Sequence, residues 1–222
     1  MTQKRAASVR PLVALAWVNV VLHVTGLALA AVGIRPGSPL VPLEGRLAYL
    51  AGAHVAWTTA WITWMFCAAA LVAFLAVLRH RLGERAVLAQ IGLTVAVTGA
   101  AFDLFCDSVY LLVLPMLASQ PDATALFLTV ERVTGIGSLV IANGAYCVAI
   151  LLFAQALRAR QGLTPLTTAL GYAVGGCGLL LAGAGFTGVP QHAEWLTPPT
   201  MGLFCLWVVL VARSLEPAGR SP

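Results

Sequence analysis

Two aspartates one helical turn apart, Asp103 and Asp107, stand inside a long apolar run, and Tyr110 continues their face. A second run carries the adjacent pair Glu131 and Arg132, with Asn143 and Tyr146 deeper. Asn19 and His23 lie one turn apart in the first apolar run, and His54 and Thr58 open the next. Burying an ionisable side chain in hydrocarbon costs several kcal/mol without a partner, so each of these residues is a candidate for function. Three carboxyls against the single guanidinium of Arg132 leave a negative surplus that protons, histidines or a metal must offset. Such a cluster is compatible with four roles: a satisfied structural network built on Arg132, proton or ion handling, ligand sensing, or a metal or hydrolytic site.

The elements that position these residues follow from composition. Of 222 residues, 60% are hydrophobic and 9% charged, against about 25% charged in a soluble domain. That scarcity excludes a soluble fold, and the apolar content excludes disorder. A membrane-spanning helix needs about 20 apolar residues. Six segments qualify: 11–34, 48–78, 86–117, 123–157, 163–189 and 196–215. They are rich in Leu, Ala and Val and do not alternate, which favours helices over a barrel. The expected fold is one all-α, polytopic transmembrane bundle over residues 1–222.

Basic residues give its orientation. Ten of the 13 Lys and Arg residues fall in the N-terminal tail, the links after segments two and four, and the C-terminal tail. Arg35, Arg46 and Arg132 fall elsewhere. The positive-inside rule then places both termini in the cytoplasm of an inner (plasma) membrane, which suits an even span count. The net charge of +5 reflects topology and contact with anionic lipid, with no direct nucleic-acid binding expected. With that topology Asp103, Asp107, Glu131, Arg132 and His54 share the outer half, and His23 lies near mid-membrane. A polar cavity opening outward is the corresponding expectation, with His192 and Glu194 in the external link beside it. The first segment is read as a retained helix, because it is longer than a signal-peptide core and contains Asn19 and His23.

Other features read as packing. Cys67, Cys106, Cys147, Cys177 and Cys205 fall singly in segments two to six and act as small hydrophobes. Gly171 and Gly175 make a GxxxG spacing that lets helices approach, so segment five is a packing helix. Gly183, Gly185 and Gly188 match a dinucleotide-binding spacing, but without the strand that motif needs. Trp57, Trp61 and Trp64 share a face that packs against neighbours or lines a pocket for a flat or isoprenoid ligand.

Several chemistries lack their residues. No HxxxH or HExxH places two ligands on one face, so neither a metal nor haem is expected at the isolated His23 and His54. The P-loop is absent, and no GxSx nucleophile of rhomboid type falls within a span. Gly99, Asp103 and Asp107 resemble the second half of the CDP-alcohol phosphotransferase signature, GxxxDxxxD. Its acidic first half is missing, since Gly83-Glu84-Arg85-Ala86 leads into an apolar run. No catalytic residue carries over.

In size, span number and short links, the chain resembles the small polytopic anti-sigma factors of bacteria. That resemblance rests on architecture and implies a regulator, not an enzyme, that holds an acidic cytosolic protein such as a sigma factor at the membrane until a signal releases it. Lys4, Arg5, Arg79, His80 and Arg81 are the candidate contacts, by topology alone. A small proton- or ion-coupled transporter using the outer acids is the alternative, and an intramembrane lipid-modifying enzyme a third.

Overall fold

The computed structural model describes residues 10–52, 54–83, 86–159 and 164–215; Lys4 and Arg5 lie outside them. All regular structure among the described residues is helical. In chain order the α-helices are α1 (Arg10–Leu29), α2 (Leu43–Ala51), α3 (Val55–Leu82), α4 (Val87–Ser108) and α5 (Leu114–Ala118). They continue with α6 (Thr124–Gly135), α7 (Asn143–Arg158), α8 (Pro165–Ala184) and α9 (Pro190–Ser214). Three π-helical segments interrupt them: Ala30–Ile34 extends α1, Val109–Val113 joins α4 to α5, and Ile136–Ala142 joins α6 to α7. Six rods result, each long and apolar enough to cross a membrane: Pro11–Gly37, Val55–Leu82, Val87–Ala118, Pro121–Arg158, Pro165–Ala184 and Pro190–Ser214.

The rods correspond to the six expected segments, with shifted ends. The second starts at Val55 because Leu43–Ala51 forms the separate helix α2. The sixth starts at Pro190, a residue suited to the first helical turn. His192 and Glu194 therefore belong to α9 and not to a link. Pro198 and Pro199 sit inside α9, where the hydroxyls of Thr197 and Thr200 bond the carbonyls of Ala193 and Leu196 at 2.7 and 2.8 Å. Gly83 closes α3 at φ 86°, a backbone conformation that favours glycine.

The rods pack in chain order as a closed ring. α1 meets α3, α3 meets α4, α4 meets α7, α7 meets α8, α8 meets α9, and α9 returns to α1. One end of the ring, the terminal end, gathers residues 10, 82, 87, 158, 165 and 214; the other is the distal end. Glycine sets the closest approach. A methyl group on Gly171 would lie 2.8 Å from Ala154 Cβ, and methyls on Gly175 and Gly178 would collide with Leu151 and Cys147 of α7. The GxxxG face of α8 thus packs against α7. Gly183 lies in the last turn of α8 and Gly185 and Gly188 follow that helix, so no strand precedes them.

The outside of the ring is apolar, with Val21, Phe105, Leu112 and Leu180 61–68% exposed. Surfaces of that kind suit lipid contact. Inside, Leu12, Phe74, Leu78, Phe153, Leu157 and Trp207 belong to a core toward the terminal end. Leu50, Trp57, Trp61, Leu114, Leu117 and Phe127 form a second core at the distal end.

Candidate functional site, a buried carboxylate layer

A polar layer lies next to the distal core. Asp103 of α4 accepts hydrogen bonds from Ser138 Oγ at 2.8 Å and from the Tyr146 hydroxyl at 3.2 Å. Asp107 follows one turn later and is 1% exposed. Its Oδ2 has no hydrogen-bond partner among the described residues. Cys67 of α3 and Tyr146 of α7 lie within electrostatic reach of both aspartates. Neither aspartate is ion-paired among the described residues.

Glu131 is paired, but not with Arg132. Arg46 of α2 donates from Nη1 to Glu131 Oε1 and Oε2, each at 2.8 Å. The two side chains are 10% and 8% exposed, and the guanidinium lies 5.8 Å from the centroid of Phe127. Arg132 is exposed, which corrects the structural network expected around it. The reason is elementary: neighbouring helix positions point about 100° apart, so an inward Glu131 turns Arg132 outward. In the sequence Arg46 falls in the link between the first two apolar segments. The signal for it is the spacing of Arg46 and Leu50, i and i+4, both buried in α2.

The π segments offer groups to other helices, and the third reaches this layer directly. A widened turn loosens the regular backbone ladder and lets its groups take outside partners. The Gly33 carbonyl, in the first segment, accepts from the Tyr49 hydroxyl at 2.9 Å. Burial raises the Tyr49 phenol above its ordinary pKa, which favours its donor form. The Tyr110 carbonyl, in the second, accepts from Trp57 Nε1 at 3.0 Å. Tyr110 also stacks on Trp61, with ring centroids 4.2 Å apart and planes 5° from parallel. The third segment supplies Ser138 to Asp103.

The histidines lie apart. His23 is 5% exposed, and its Nδ1 is 2.8 Å from the Asn19 carbonyl. Its ring packs on Phe204 and edge-on to Trp64. Asn19 donates to the Ala70 carbonyl of α3 at 3.0 Å. His54 is exposed at the start of α3 and stacks on Tyr49 at 4.1 Å. Trp64 follows His54 by ten residues, roughly 15 Å along the helix, so the two histidines do not share a ligand. Among the described residues no group of three His, Cys, Asp or Glu side chains is placed to hold a metal ion. His192 Nδ1 lies 3.1 Å from Thr187 Oγ1, and Glu194 pairs with Arg35 at 3.4 Å on the surface. At the terminal end, α3 finishes with Arg79, His80 and Arg81, of which His80 is exposed.

Six lipid-length rods in a ring around buried carboxylates make this an all-helical bundle of the multi-pass membrane type. Comparison with protein-family models, with curated proteins and with solved structures finds no match. The functional reading therefore rests on the chemistry of the layer and on what the rods connect it to.

Proposed function

We propose that this is a regulator of the inner (plasma) membrane, with both termini in the cytoplasm. It senses a signal within the bilayer and holds a soluble acidic protein, such as a sigma factor, at its basic terminal end. One observation carries the reading. α3 is an uninterrupted 28-residue α-helix, about 42 Å long, that reaches from the polar layer to the opposite end. Near its start Trp57 bonds the Tyr110 carbonyl and Trp61 stacks on the Tyr110 ring; its last turn carries Arg79, His80 and Arg81. A displacement of Tyr110 is therefore passed along one rigid element to the partner-binding end. Crosslinking in cells followed by pull-down of the full chain should recover a soluble cytosolic protein, and Arg79→Glu with Arg81→Glu should reduce that recovery severalfold. Recovery of no soluble protein would overturn this reading.

Asp107 favours a second reading, proton- or ion-coupled transport. A buried carboxylate oxygen without a partner is what a transient proton or cation occupies. Asp103→Asn with Asp107→Asn should then abolish proton-coupled uptake in proteoliposomes. Unaltered uptake would remove the aspartates from transport.

A further inference from the structure

A cleft of about 130 Å³ opens at the distal end, outside the carboxylate layer. Tyr49, His54, Trp57, Thr58, Leu111 and Pro115 line it. Its volume is close to that of a cavity that accepts one benzene ring, about 150 Å³. The stacked rings of Tyr49 and His54 lie 9° from parallel, and Trp57 stands at 75° to Tyr49. Flat π-faces of this kind favour a further flat ring.

The polar groups narrow the ligand. The Tyr49 hydroxyl is engaged by Gly33 and Trp57 Nε1 by Tyr110. The His54 imidazole and the Thr58 hydroxyl have no hydrogen-bond partner among the described residues, and both can donate. No carboxylate, Lys or Arg lines the cleft, so nothing there compensates a charged ligand. The cleft lies beside the lipid-type surface, where Leu112 and Met116, next to the lining Leu111 and Pro115, are 67% and 53% exposed.

We propose that this cleft binds the ring of a neutral, lipid-soluble, hydrogen-bond-accepting compound of the benzoquinone class, held by His54 and Thr58 against the Tyr49 and Trp57 rings. The site stands on its own geometry. Only its consequence, movement of Trp57 and thereby of α3, rests on the sensing reading above. The binding step includes no electron transfer.

The test is equilibrium binding of a decyl-substituted benzoquinone to the full chain in nanodiscs, with protein-free nanodiscs as the blank. Saturable binding is expected. Leu111→Trp, which fills the cleft, should abolish it, and His54→Phe with Thr58→Val should weaken it about tenfold while the melting temperature stays unchanged. No saturable binding above the blank would overturn the proposal, as would binding indifferent to Leu111→Trp in a folded variant. Crosslinked pull-down with and without the quinone separates the two readings. Binding without any change in partner recovery upholds the site and counts against sensing, whereas partner recovery without quinone binding overturns the site alone.

Discussion

Removing Arg46 leaves the Glu131 carboxylate in a nearly dry position without its cation, and buried pairs broken on one side are costly. Arg46→Ala should destabilise the bundle by about 3–5 kcal/mol in denaturant unfolding in micelles. Replacing both partners by leucine should cost much less, since no uncompensated charge remains. Arg132→Ala, on an exposed side chain, should change stability by no more than about 0.5 kcal/mol. If Arg132→Ala were the more damaging, the assignment of the ion pair would be wrong. The same assay separates the two aspartates. Ser138→Ala removes a donor from Asp103 and should cost about 1–3 kcal/mol. Asp107→Asn breaks no described hydrogen bond at Oδ2 and should cost less.

At the scale of elements, α7 and α8 make one of the tight glycine contacts. Gly178→Val places a branched side chain against the Cys147 sulfur and should destabilise by about 1–3 kcal/mol. Gly176, with nothing within 4 Å of its methyl position, should accept alanine with a gain of up to about 1 kcal/mol. Equal effects at the two positions would contradict the packing. The glycine face is legible in the sequence because a GxxxG spacing is local, and so are Asp103 and Asp107, whose alignment depends only on helix periodicity. The Arg46–Glu131 pair spans 85 positions and is made by the fold, so no local pattern reports it. Arg46 hid in a stretch merged partly with a link and partly with segment two. The π segments are equally silent, because their residues are ordinary helix-compatible types and their partners, Tyr49, Trp57 and Asp103, arrive from other helices.

For the whole molecule, hydropathy alone specifies the six rods, while closure of the ring needs the long-range pairing of α9 with α1. The orientation reading makes a direct prediction. Ser119→Cys, exposed at the distal end, should react with a membrane-impermeant maleimide added outside spheroplasts, and Ala159→Cys, exposed at the terminal end, should react only after permeabilisation. The reverse pattern would place both termini outside. The native cysteines lie within the spanning rods, which keeps the background low.

The widened turns also impose a counting rule on the gene. Elsewhere in a rod, losing one residue rotates everything beyond it by about 100° and turns the inward face away. Within Val109–Val113 or Ile136–Ala142 the turn already holds a surplus residue, so a one-residue deletion has somewhere to be absorbed. Such a deletion can restore an ordinary α-helix while the chain on either side stays inserted. What it would lose is the offset that aims Ser138 at Asp103 or the Tyr110 carbonyl at Trp57. Coding sequences that differ by a single codon at these two places therefore separate the bundle as a membrane-inserted object from the bundle as a device.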